Sequence, residues 1–180
     1  MQFKKIAFLT FFITIFFAAC GTDNSKNDKK TEIAEIKNFK LTTTEAQTLN
    51  ITKIENGFVF EEYKGKAVLV NFFATWCQPC LAEIPNLIHL KEKYNNDFEI
   101  VAVLLEDNKR NDVVKDFINE YNINYVVTNS KQNITFSDIV GGVEAIPTMY
   151  LYDKQGKLTQ NYVGIVPEEM LNIDIQKAIK

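Results

Sequence analysis

The stretch Trp76-Cys77-Gln78-Pro79-Cys80 places two thiols three positions apart. Ala67 to Ala74, just before it, is a near-continuous apolar run of the kind expected of a strand covered on both faces. Just after it, Leu81, Ile84, Leu87, Ile88 and Tyr94 fall close to helical spacing. That context puts Cys77 at a helix start, where free backbone N–H groups and the helix dipole stabilise a thiolate. A thiolate with a second thiol one turn away can attack a disulfide and then resolve the mixed disulfide itself. The same pair could be half of a zinc site, but a four-ligand structural site needs two more ligands. The chain holds three cysteines and one histidine, so only Cys20 and His89 remain as soft or imidazole ligands, and no metal site is expected.

The whole chain sets the frame for this motif. It has 180 residues, 46% of them hydrophobic, enough for one well-filled core. A net charge of −3 gives no sign of nucleic-acid binding. There is no GxGxxG for a flavin or nucleotide, and no cofactor is expected.

The first residues read as an export signal. Lys4 and Lys5 make a basic start, Ile6 to Phe17 is a short apolar run, and the small residues Ala18 and Ala19 precede Cys20. The run is shorter than the ~20 residues of a spanning helix. Phe17-Ala18-Ala19-Cys20-Gly21 resembles the lipobox of bacterial lipoproteins, with Phe17 where Leu is usual. The resemblance implies cleavage before Cys20 and acylation of that residue, whereas an ordinary signal-peptidase site would leave Cys20 a plain cysteine. Residues 1–19 are therefore expected to be signal peptide, and 20–38 a lipid-anchored tether. Gly21 to Lys30 has no apolar residue, as suits a solvated linker. Export would place the two thiols where disulfides persist.

Residues 39–180 are expected to form one domain. Leu49–Ile54 and Phe58–Glu62 flank Glu55-Asn56-Gly57 and predict a hairpin. A helix is expected from about Pro79 to Tyr94, kinked at Pro85. Phe98–Leu105 reads as a second buried strand, and Asp112–Tyr121 as a helix with Val113, Val114, Phe117 and Ile118 inward. Tyr125–Thr128 follows as a short strand, and Thr135–Val140 as a short helix. Thr148–Tyr152 and Leu158–Gly164 pair around Asp153-Lys154-Gln155-Gly156. A last helix covers Pro167–Ile179, with proline at its start. Strands alternating with helices, then a hairpin, give an α/β sheet that is part parallel and part antiparallel.

These landmarks together resemble the thioredoxin superfamily: Trp-Cys-x-x-Cys after a buried strand, Pro85, and Ile146-Pro147-Thr148. Within it, Cys77-Gln78-Pro79-Cys80-x-x-Glu83-x-Pro85 looks like the membrane-anchored TlpA/ResA branch. The resemblance implies a thioredoxin fold, a mixed central sheet flanked by helices, here with an N-terminal β-hairpin extension. It implies an exposed nucleophile at Cys77 and a deeper resolving thiol at Cys80, joined in a redox-active disulfide.

Other residues acquire expectations from the same comparison. Glu83 lies three residues after Cys80, one turn on along the same helix face. It matches the family's active-site glutamate and would take the proton of Cys80; the plainer alternative is a solvated helix glutamate. Thioredoxin carries an Asp in the preceding strand, where this chain has Asn71, which cannot take a proton. Pro147 is expected to be cis, with Ile146 offering its backbone to an extended substrate segment; a trans proline opening an edge strand is the alternative. Trp76 is expected to pack beside Cys77 and line the docking surface. Glu106 could be a second carboxylate, though a solvated loop position suits it better, and His89 reads as a surface residue. The family implies a thiol:disulfide oxidoreductase of the bacterial cell envelope, facing the periplasm or extracytoplasmic side. It would reduce exported clients such as apocytochrome c, with electrons from a membrane thiol donor. The competing readings are an oxidase or isomerase of the same fold, and a non-catalytic lipoprotein binding heme, copper or a partner.

Overall fold

The computed structural model describes residues 37–180. The expected signal peptide, Cys20 and the tether up to residue 36 lie outside the described residues. Three antiparallel strands come first: β1 (Asn38–Thr42), β2 (Thr48–Ile54) and β3 (Gly57–Phe60). A 3-10 turn, Glu61–Tyr63, follows where the hairpin strand was expected to continue to Glu62.

The central sheet has five strands in the order β6-β5-β4-β7-β8. These are β4 (Ala67–Phe73), β5 (Phe98–Leu104), β6 (Val126–Thr128), β7 (Thr148–Tyr152) and β8 (Leu158–Val163). β4, β5 and β6 run parallel, whereas β7 and β8 are antiparallel. The helices are α1 (Gln78–Lys93), α2 (Asn111–Glu120), α3 (Gln132–Ile139) and α4 (Glu168–Ala178). None of the described helices is long and apolar enough to cross a membrane.

All seven residues of β4 are buried, because both faces of the sheet are covered. Alternation splits them between two cores. Leu69 and Phe73 pack with Leu87 and Leu90 of α1, Phe117 of α2 and Leu171 and Ile175 of α4. Val68, Val70 and Phe72 pack on the other face with Phe58 and Phe60 of the N-terminal strands and Phe136 of α3. The N-terminal extension thus covers a sheet face that would otherwise expose aromatic and β-branched side chains. Gly57 and Gly156 let two turns meet there backbone to backbone, with the Phe58 N–H donating to the Gly156 carbonyl at 2.8 Å.

Two local expectations change. Val113 is exposed, and Val114 and Phe117 alone are fully inward on α2; in a ten-residue helix lying flat on the sheet, only one narrow stripe reaches the core. Pro167 caps α4 from outside rather than opening it: its ψ of 137° is extended. α1 runs unbroken through Pro85.

Candidate active site

The site stands at the end of the central sheet where β4 stops. Phe72 pairs with Thr148, so the chain leaving β4 and the chain entering β7 meet at that edge. Residues Ala74 to Cys77 form the turn into α1, closed by the Cys77 N–H donating to the Ala74 carbonyl at 3.1 Å. Cys77 is the N-cap residue of α1, with extended backbone, and its Sγ accepts a 3.2 Å hydrogen bond from the Cys80 N–H. Pro79 falls in the first turn, where its missing N–H removes no helical bond. Cys77 and Cys80 are joined as a disulfide, with Cα atoms 5.2 Å apart.

The expectation of an exposed first cysteine needs correction for this state. Cys77 is only 4% exposed and Cys80 2%. Bonded to Cys80 at the start of α1, the Cys77 sulfur is turned into the same apolar cluster as Ile84 and Phe73. Trp76 does not pack into the fold. It is 67% exposed and stands out from the surface next to Cys77 in sequence, leaving a large apolar face free.

Glu83 is 1% exposed, so it is not a solvated helix glutamate. Its Oε1 accepts a 2.7 Å hydrogen bond from the Val166 N–H, in the link between β8 and α4, while Oε2 has no partner. Burial pushes this carboxyl up to about 7, partly offset by the Val166 hydrogen bond. A carboxyl poised near neutrality one helical turn from a thiol can exchange a proton with it. Asn71, beneath on β4, is also buried, and its Oδ1 is unpaired.

The Ile146–Pro147 peptide bond is cis. Pro147 is buried and its carbonyl accepts from the Gly164 N–H at 2.8 Å, while Ile146 is half-buried against both cores. The pair therefore sits at the same sheet end as the cysteines.

Glu106 differs from the solvated loop reading. Its Oε1 accepts from the Thr75 N–H at 2.6 Å and from Thr75 Oγ1 at 2.7 Å, and its Oε2 meets Lys109 Nζ at 2.8 Å. Burial pushes Glu106 up, but the hydrogen bonds from Lys109 and Thr75 outweigh it and hold the carboxyl below its usual range. Lys109 also donates to Thr75 Oγ1 at 3.0 Å. This small network fixes the residue just ahead of Trp76 and Cys77. Nothing local in the sequence marks Thr75, Lys109 or Val166; the residues they meet are 31, 34 and 83 positions away. His89 lies on the surface, paired with Glu168 of α4 at 2.6 Å. Among the described residues, no group of three His, Cys, Asp or Glu side chains is placed to hold a metal ion.

Comparison with known proteins agrees with this geometry. Residues 32–178 match the family model described as Redoxin. The chain is 34% identical to the thiol-disulfide oxidoreductase ResA of Bacillus thuringiensis (strain Al Hakam), over 74% of this chain and 76% of that one. It is 28% identical to the ResA of Bacillus subtilis (strain 168), over 83% and 76%. A solved thiol:disulfide interchange protein of the thioredoxin family from Chlorobium tepidum TLS superposes with a TM-score of 0.62 at 27% identity, covering 79% of this chain and 94% of that one.

Proposed function

We propose that this chain, which belongs to the Redoxin family and to the ResA/TlpA-like thiol–disulfide oxidoreductases of the thioredoxin superfamily, works outside the cytoplasm as a membrane-tethered reductant of exported proteins. The oxidoreductase class is that of its ResA relatives. The direction, the tether and the clients are our reading. The observation that carries it is the buried Glu83 carboxyl one helical turn from Cys80.

The reaction runs as two exchanges. In the dithiol form, Cys77 ionises first, because it is the N-cap of α1, where the Cys80 N–H that meets its Sγ in the disulfide state favours a thiolate. The Cys77 thiolate attacks a client disulfide; one client sulfur leaves as thiolate and a mixed disulfide forms. Glu83 then takes the proton of Cys80, and the Cys80 sulfur attacks Cys77 Sγ. The second client sulfur leaves, the client disulfide has gained two electrons, and Cys77–Cys80 is oxidised. A donor dithiol reverses the last bond. Trp76, Ile146 and Pro147 would give the client segment an apolar rim, with the Ile146 backbone for the segment to pair with. A Glu83 near neutrality suits both directions of proton transfer at ordinary pH.

Acylation of Cys20 would tether the domain through residues 21–38 to the envelope membrane, and clients with solvent-facing cystines, apocytochrome c among them, would then be within reach. Several acyl chains hold a protein firmly where one does not.

Cys80→Ser tests the reading directly. Cys77 can still attack but cannot be released, so mixed disulfides with exported clients accumulate in cells and can be identified. Absence of any adduct from a stably expressed variant contradicts the catalytic role. A midpoint potential near the thioredoxin value of about −270 mV supports the reductant, and one near about −120 mV the oxidase. Cells fed a labelled fatty acid should label the wild type and not Cys20→Ser; equal labelling of the two contradicts the lipid tether.

A further inference from the structure

Among the described residues, two buried side-chain atoms make no hydrogen bond, Asn71 Oδ1 and Glu83 Oε2. Buried polar atoms are nearly always paired, so two exceptions on one side of one sheet call for a reason. Asn71 is 3% exposed and lies on β4 between Leu69 and Phe73, which both pack with Cys77, Cys80 and Ile84. Strand alternation turns Asn71 to that same side. Its neighbours in register, Met149 on β7 and Ala102 on β5, belong to the same cluster. Glu83 comes into this cluster from α1, with Cys80 one turn before it and Ile84 beside it.

We propose that Asn71 is a positioning residue of the redox step, its Oδ1 and Glu83 Oε2 forming a paired seat for the proton that passes between Cys80 and Glu83. The inference rests on the acid–base role given to Glu83 above. The donors that the reaction creates in this pocket are the Cys80 S–H of the dithiol and the Oε2–H of Glu83 once it has taken that proton. Each exists in one half of the cycle. An amide oxygen accepts from either without gaining charge. A carboxylate at position 71 would do so only by repelling Glu83, since two carboxylates in one buried site cannot both ionise freely. The amide therefore fits a pocket that already holds one carboxyl.

The electron balance is that of the exchange proposed above. As Cys80 attacks Cys77 Sγ, its proton goes to Glu83 Oε2, the bond from Cys77 to the client sulfur breaks, and the internal disulfide forms. The client disulfide is the oxidant and the donor dithiol later resets the pair.

Other polar groups lie on this side of the sheet. The Val166 N–H holds Oε1. Tyr125, ahead of β6, is pushed up mainly by burial and secondarily by the Glu83 charge. Asp174 on α4 is bonded to Tyr162 and Lys177.

The test is the pH profile of client reduction and of the Cys77–Cys80 midpoint potential on the full chain. It compares the wild type, Glu83→Gln, Asn71→Asp and the double variant Asn71→Asp/Glu83→Gln. We expect Asn71→Asp to split the Glu83 inflection into two separated steps, as coupled carboxylates do. We expect the double variant to recover about tenfold or more of the rate that Glu83→Gln loses, the size of a modest acid–base contribution. In the wild type, the Asn71 side-chain carboxamide resonance should move between the oxidised and reduced states. An Asn71→Asp profile that keeps the wild-type inflection, with no recovery in a folded double variant, overturns the proposal, and so does an Asn71 resonance indifferent to redox state. A profile that Glu83→Gln leaves unchanged strikes instead at the acid–base reading of Glu83 itself.

Discussion

Glu83 Oε1 accepts a 2.7 Å hydrogen bond from the backbone N–H of Val166, 83 residues further along the chain, and Oε2 is left free. The loop between β8 and α4 thus holds the carboxyl by one oxygen and leaves the other for chemistry. A main-chain donor survives a change of side chain at 166, proline excepted because it has no N–H.

The elevated Glu83 value makes stability depend on pH in a definite direction. The ordinary carboxyl value is 4.5 and the folded one is about 7. Between these values the folded protein binds more protons than the unfolded chain. The contribution is therefore fully present below 4.5 and is lost as pH rises through about 7, by an amount of order 3 kcal/mol at most. Denaturant unfolding of the oxidised protein from pH 4 to 8 should show this decline, and Glu83→Gln should flatten it. A wild-type profile already flat across that window would contradict the buried titration.

Glu106→Ala should loosen the approach to the motif. It leaves the Thr75 N–H and Thr75 Oγ1 without their acceptor and Lys109 Nζ with Thr75 Oγ1 alone, at a cost of about 1–3 kcal/mol. Because the Glu106 carboxyl is held below its ordinary value, its contribution is present above that value and fades as pH falls through the lowered one. Glu106→Gln, which keeps an acceptor for Thr75, should lose less. Equal loss in the two variants, measured by denaturant unfolding at pH 7, would show that the Thr75 bonds carry nothing.

Trp76 is the only tryptophan and is largely exposed, so the oxidation state of Cys77 should be readable from its emission. Trp76→Ala should raise KM for a client protein severalfold and leave reduction of a small aromatic disulfide nearly unchanged. A loss shared equally between the two substrates would place Trp76 in the chemistry rather than in docking.

Gly57→Ala tests how the N-terminal strands are held to the sheet. A Cβ at position 57 would lie 2.1 Å from the Gly156 carbonyl oxygen, so the two turns must part. The variant should lose on the order of 1–3 kcal/mol, with hydrogen exchange rising first in β2 and β3. Unchanged exchange there would mean that the turn contact is dispensable.

Some of this molecule is written in local pattern. The apolar run Ala67–Phe73 had to be a strand covered twice, Cys77 had to stand at a helix start, and Cys80 and Glu83 had to follow each other one turn apart. Periodicity and capping are written in neighbouring residues, which is why these elements were legible to within a residue or two. Burial of Glu83 was not legible, since the same helix position in contact with water would leave an ordinary glutamate. It follows from packing across the chain, which brings the Val166 N–H of the 164–167 link onto Glu83 of α1. Glu106 resembles a solvated loop residue in sequence for the same reason: its partner Thr75 belongs to another strand end and is brought to it by the parallel pairing of β4 and β5. Sequence distance hides such contacts. A buried charge takes its properties from what the fold packs around it, and that environment is assembled from distant parts of the chain.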